Sequence, residues 1–366
     1  MARRTLLLLA SLTAVAAAGA VAVILATRGD GSQLAAAEHA GMVEGTVWVA
    51  NEGGASLTAI DAARNEVAAT LTGIEGPHNL QVSPDGKSVW AVSSHDAMAV
   101  MLDARGFQVH GIAPTGEEPA HVVLTPDGRT SYTTNGAENT VSAIDVATMK
   151  PVAKIPVGAY PHGLRPSPDG KWIYVANAKG TTLSVIATAQ NVRVGDVEVG
   201  RSPVQVAFSP DGRFVYASLN GENAVAKIDV AKRKLVGKVP VGVGPIQVYV
   251  SPDGRYLLVA NQGTEESPST TVSIVDTTTF EVVETVETGS GAHGVVIDPS
   301  SRHAYVTNIY GDDIAVLDLA ERKVVARIAV GSKPNGISFS PLAVGDQAGG
   351  TIDLGLGDDM DGMSHG

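Results

Sequence analysis

The chain has 366 residues, 17% of them charged, and a formal net charge of −12. That balance leaves no basic stripe of the kind nucleic acid requires, so acidic charge here means solubility. The lack of cysteine excludes disulfides, thiolate metal sites, cysteine catalysis and covalent c-type haem.

Arg3 and Arg4 precede an uncharged run from Thr5 to Ala26, closed by Arg28 and Asp30. This is the pattern of an export element. Ala18-Gly19-Ala20 offers a small-residue cleavage site, so residues 1–26 read as a cleaved signal peptide. The run is also long enough to cross a bilayer, and a membrane tether through residues 5–26 is the alternative. Residues 27–45 follow as a Gly/Ala linker. Either reading puts the rest of the chain outside the cytoplasm, whether periplasmic, secreted or anchored facing outward.

A repeat then takes over. Pro84, Pro126, Pro168, Pro210, Pro252, Pro299 and Pro341 are separated by 42, 42, 42, 42, 47 and 42 residues. A fixed period in the forties, with a turn signal and several short β-type runs per unit, marks β-propeller blades. In the unit from His162, the runs HGLRPS, WIYVAN, TLSVIA and VRVGDVEVG read as four strands of a meander. Its Ser-Pro-Asp-Gly element makes a type I turn between strands one and two. Strand two carries a core ring at a fixed phase, at Trp48, Trp90, Tyr132, Tyr174, Tyr216 and Tyr305, with Leu258 as the exception. Strand three ends in Asp61, Asp103, Asp145, Asp229, Asp276 and Asp318, expected to cap turns rather than bind metal. Gly116, Gly158, Gly200, Gly242, Gly289 and Gly331 read as turn glycines after strand four.

The repeat opens on a second strand at Thr46 and closes on a first strand, NGISFS, ending at Ser340. The last strand therefore completes the first blade, which removes an exposed sheet edge. The expected fold is all-β, a monomeric seven-bladed β-propeller of four-stranded antiparallel blades over residues 46–344. An acidic, flexible tail over residues 345–366 follows.

The strand text YVTN at Tyr305, with YVAN at Tyr174, WVAN at Trp48 and the SPDG turns, resembles the YVTN-repeat, or YncE-like, propellers. These are similar to the haem-bearing propeller of cytochrome-type nitrite reductases. The resemblance implies the propeller and an upper binding face, and leaves activity open, since such propellers include binding proteins and surface antigens. Asn51-Glu52 and Pro77-His78 are similar to positions in seven-bladed lactonases, from which no catalytic residue is carried over.

Six residues before each grid proline, at the entry to the channel-lining strand, stand His78, Ala120, His162, Val204, Ile246, His293 and Asn335. With blades numbered by their second strand, the histidines fall in blades 2, 4 and 7. At about 51° per blade they stand near 0°, roughly 103° and roughly 257°. His78, His162 and His293 are thus candidate ligands for one divalent ion, copper first, with an open position. Hydrated imidazoles at a channel mouth are the plainer reading. His121, one residue further along its strand, is expected on the other side of that strand. It joins His95, Asn335 and the strand-two asparagines Asn51, Asn135, Asn177, Asn261 and Asn308 as polar candidates for a ligand on this face, the asparagines first as loop formers. Met360, Met363 and His365, among Asp358, Asp359 and Asp361, form a second candidate metal segment, against a tail that serves only solubility. The insertion at residues 263–270 lengthens an upper loop of blade 6 and is a candidate rim or lid.

No Ser/His/Asp order, phosphate-cradling loop or paired-carboxylate pattern stands out, which favours binding over catalysis. The function expected is an exported binding or scaffold propeller for a small ligand or extracytoplasmic protein, with a metal-assisted or lactonase-like hydrolase and a structural surface module as alternatives.

Overall fold

The computed structural model describes residues 43–345 and 349–356. The apolar N-terminal run, most of the linker, and Met360, Met363 and His365 lie outside the described residues.

Each grid proline sits in a turn held by its own side chains. Ser83 Oγ donates to Asp85 Oδ1 at 2.7 Å, and Gly86, at φ 76°, donates its N–H to the Ser83 carbonyl at 2.9 Å. That turn joins strands one and two, and two further hairpins complete a blade. Blade 4 runs Pro161–Pro166, Trp172–Asn177, Thr182–Ala187 and Val192–Glu198. Seven antiparallel sheets of this order form the propeller, each with its first strand innermost. The ring closes as expected: Pro334–Ser340 pairs with Thr46–Asn51, Thr46 opposite Ser340.

The strand-two rings are buried between blades. Trp48 of blade 1 meets Phe107 of blade 2 edge-on, with centroids 5.7 Å apart, and Tyr174 of blade 4 meets Phe208 of blade 5 at 5.4 Å. Large rings at one phase therefore wedge each sheet against the next. The strand-three aspartates cap their turns: Asp61 Oδ1 accepts the N–H groups of Ala63 and Arg64 at 2.9 and 3.3 Å.

Two expectations change. The asparagines ending strand two are not rim groups; they are buried and face into the sheet. Asn51 Nδ2 donates to Ser56 Oγ and Thr58 Oγ1 at 3.1 and 2.9 Å, and Asn135 donates to Thr140 and Ser142, both at 2.9 Å. Asn177 and Asn261 repeat the pattern with Thr182 and Ser184, and with Thr271 and Ser273. Asn308 instead reaches the Thr288 carbonyl and Asp313. The glycines after strand four are explained by these amides. A Cβ at Gly116, Gly158, Gly242, Gly289 or Gly331 would overlap Asn135, Asn177, Asn261, Asn308 or Asn51. Close approach, rather than a left-handed turn, requires glycine at Gly116, Gly158, Gly242 and Gly331, which have no positive φ.

The second change is at the C-terminus. The segment expected to be a flexible tail adds a fifth strand, Thr351–Asp353, parallel to Glu66–Thr72, with Thr351 opposite Thr70. Leu356 is buried against the core of blades 1 and 2, with Ile352 and Leu354 packed beside it. The insertion at 263–270 extends a hairpin of blade 6, whose Glu265 reaches Lys333 at the entry to blade 1, 3.4 Å away.

Because the Asn177 amide fills the space over Gly158, Gly158→Ala is expected to lower the free energy of unfolding by about 1–3 kcal/mol. The check is the urea midpoint at unchanged slope. An unaltered midpoint would show that this contact relaxes freely.

Candidate metal centre at the channel mouth

The entry to every inner strand is irregular. In blade 3, Pro119 is opposite Asn135, but pairing resumes with Val122 opposite Thr133, so strand one carries one extra residue. The same shift occurs in blade 2 between Pro77 and Leu80 and in blade 4 between Pro161 and Leu164. Such a bulge suspends the period-two alternation of side chains and frees a backbone group. In blade 3 a strand-two hydroxyl takes that group: Thr134 Oγ1 accepts the His121 N–H at 3.1 Å and donates to the His162 carbonyl of blade 4 at 2.7 Å. Ser218 and Thr307 do the same between blades 5 and 6 and between blades 7 and 1.

This overturns the placement expected for His121. Its ring lies 4.8 Å from that of His162 and 5.7 Å from that of His78, fully buried. His78 and His162 approach each other through Nε2, 3.1 Å apart. Ligand atoms of His78, His121 and His162 all lie within 4.8 Å of one another. His293 stands apart, its ring 6.5 Å from that of His78, and is outside this closest group. The bulge brings His121, the third residue of its strand, to the channel level of His78 and His162, which strict alternation did not anticipate. Three consecutive blades, 2, 3 and 4, supply the cluster.

Two further residues complete it. Glu52, which follows strand two of blade 1, places Oε1 3.2 Å from His78 Nδ1. Asn335, on the closing strand, donates from Nδ2 to Glu52 Oε2 at 2.8 Å and lies 3.2 Å from His78 Nδ1. Gln205, in blade 5, places Nε2 3.3 Å from His121 Nδ1. Glu52 and Gln205 were missed as site residues; for Gln205 the available signal was the same bulge, which turns the third residue of an inner strand into the channel. His95 lies in an upper loop against Gly76, outside the cluster.

The electrostatics keep the buried imidazoles neutral. Burial, then the charges of His78 and His293, hold His162 at about 3, against a smaller opposing bond to the Val204 carbonyl. Burial and His78 hold His293 at about 4. Burial and the neighbouring histidines keep His121 well below its ordinary range. Burial raises the Glu52 carboxyl, but His78 and Asn335 outweigh it and hold it at about 2. The His162 Nδ1 position, 3.2 Å from a carbonyl oxygen, must carry the proton, so its Nε2 lone pair faces His78. His78 Nδ1 beside the Glu52 carboxylate is likewise a donor, and its Nε2 faces the His162 lone pair at 3.1 Å. That contact needs a cation, either a proton on His78 Nε2 or a metal ion beside both nitrogens.

The histidine shifts fix the sign of a pH effect. Unfolded histidine takes up protons below about 6.5, whereas folded His121, His162 and His293 do not until far lower pH. Their contribution to stability is thus present above about 6.5 and is lost as pH falls toward their folded values. Thermal midpoints of metal-free protein are expected to fall between pH 7 and pH 4.5, and a His121→Ala/His162→Ala/His293→Ala variant is expected to show a shallower decline. Equal slopes would contradict the assignment.

Comparison with known proteins bears on the fold. No curated protein matches this chain in sequence. Hydrazine synthase of Kuenenia stuttgartiensis is 24% identical over 74% of this chain and 91% of its own, at a TM-score of 0.65. The dihydro-haem d1 dehydrogenase NirN, solved with DHE, is 17% identical over 80% of this chain and 74% of its own, at 0.60. A protein from Bacteroides uniformis ATCC 8492, provisionally assigned as a 6-phosphogluconolactonase, is 18% identical over 81% of this chain and 99% of its own, at 0.68. At these identities the likeness is one of fold. A model of YNCE-like β-propellers matches residues 128–225 and 213–342, a stretch that includes YVAN at Tyr174, YVTN at Tyr305 and the SPDG turns at Pro168, Pro210 and Pro252. With those blades, that turn grammar and that closure, the chain belongs to the YNCE-like β-propeller family.

Proposed function

We propose that this protein is an exported binding propeller that holds one divalent metal ion, copper first, at the mouth of its central channel. The observation that carries the reading is the convergence of three imidazoles, with the Nε2 atoms of His78 and His162 3.1 Å apart and His121 within reach. A proton would satisfy two nitrogens, whereas a metal uses all three, at about 2.0–2.1 Å each. Imidazoles that are neutral at pH 7 are ready ligands, and nitrogen donors suit copper and zinc.

The surrounding residues fit such an ion. Glu52 accepts the His78 Nδ1 proton and the Val204 carbonyl accepts that of His162, so both rings are oriented from behind. His121 Nε2 has no other partner, while its Nδ1 faces Gln205 Nε2 at 3.3 Å, the Gln205 oxygen being held by the Val206 N–H at 2.8 Å. The Arg3-Arg4 and apolar N-terminal pattern supports delivery outside the cytoplasm, where a ligand or partner would meet the upper face. A metal-assisted hydrolase is the second reading, favoured by Glu52, whose side chain is 34% exposed beside His78 and so placed to act on metal-bound water.

Untagged protein loaded with Cu(II) or Zn(II) and desalted is expected to retain about one equivalent of metal, and a His78→Ala/His121→Ala/His162→Ala variant none. Equal, negligible metal in both would refute the reading. Hydrolysis of a lactone or ester by the loaded protein alone would promote the enzymatic alternative.

A further inference from the structure

The inner strands run on from the histidines toward the opposite face, three residues further or about 10 Å at roughly 3.3 Å each. At that level the fifth residues of the strands replace the second and third. Gln81, Val123, Arg165 and Tyr249, with Pro84 and Phe208, help line a cavity of 290 Å³. Arg165 is the one cation in its wall, and no carboxylate stands there. Its Nη1 donates to the Leu164 carbonyl at 3.1 Å, and among the described residues it forms no ion pair.

A guanidinium carries five donors and a fixed charge. Placing it in a partly closed cavity with most donors unused costs stability, which proteins accept where an anion is to be met. Desolvation weakens the charged form of Arg165, and burial likewise raises the facing Tyr249 phenol despite that cation. Beside Gln81 and exposed backbone, Val123, Pro84 and Phe208 give part of the wall an apolar surface.

We propose that this cavity, separate from the histidine cluster, binds a small organic carboxylate whose anionic head pairs with the Arg165 fork and whose compact apolar body lies against Phe208, Val123 and Pro84. Guanidinium and carboxylate match in planar, two-point geometry. The Tyr249 hydroxyl, at the same level of the channel, supplies a further donor. The volume is at the lower edge of small-molecule sites, roughly 300–1,000 Å³, which restricts the ligand to about the size of benzoate.

The test is calorimetric titration of metal-free protein with benzoate, its neutral isostere benzamide, and inorganic phosphate. Benzoate is expected to bind the wild type at least tenfold more tightly than benzamide or phosphate. Arg165→Gln is expected to lose that preference while unfolding at the same temperature or higher. Benzamide equal to benzoate, or benzoate binding retained by Arg165→Gln, would overturn the site. Phosphate binding better than benzoate would overturn the apolar body and leave a simple anion site. Should Arg165→Gln fail to fold, Arg165→Lys decides: it keeps the charge but not the fork, and is expected to weaken benzoate several-fold, with unchanged affinity as the refuting result.

Discussion

Everything described depends on the pairing of the closing strand, Pro334–Ser340, with Thr46–Asn51. A propeller blade buries its faces only against its neighbours, so an unclosed ring would leave two sheet faces and an edge in water. Closure also assembles the site. Glu52 follows the N-terminal strand and Asn335 lies on the C-terminal one, 283 residues apart, yet their side chains bond at 2.8 Å beside His78. The histidine cluster is therefore built partly on the seam, and its geometry reports whether the ring is shut. The short parallel strand Thr351–Asp353, on the outer edge of the same blade, adds a second hold on that seam.

The fold was legible because its signals are local and repeated. Ser-Pro-Asp-Gly fixes a turn through hydrogen bonds within five residues, and an aromatic at one phase of strand two has one place to go. The aspartates ending strand three cap turns for the same local reason. The site was half legible. The grid placed His78 and His162 at one level of the channel, and they meet. It failed for His121 because strict alternation was assumed across a strand entry that is bulged, and in three blades the bulge's trace is a hydroxyl on the neighbouring strand. Thr134, Ser218 and Thr307 are that trace, each next to last in strand two of blades 3, 5 and 7. The asparagines were read from their sequence neighbours, whereas their partners are the hydroxyls of strand three and the glycine arriving from the preceding blade.

The channel joins two chemically different ends. At the mouth, neutral imidazoles backed by a carboxylate favour a cation; at the far opening, a guanidinium without a protein counter-charge favours an anion. Both arise from the same strands, whose second and third residues face one level and whose fifth face the other. Single substitutions on an otherwise uniform repeat thus change the chemistry of the channel while the blades keep their pattern.

The most direct test of the central claim, that the bulged strand entries bring His121 into one centre with His78 and His162, is the count of imidazole nitrogens on bound Cu(II) by pulsed electron paramagnetic resonance. Three coupled imidazoles are predicted in the wild type and two in His121→Ala, with His293→Ala unchanged at three. A wild-type spectrum identical to that of His121→Ala would contradict the account.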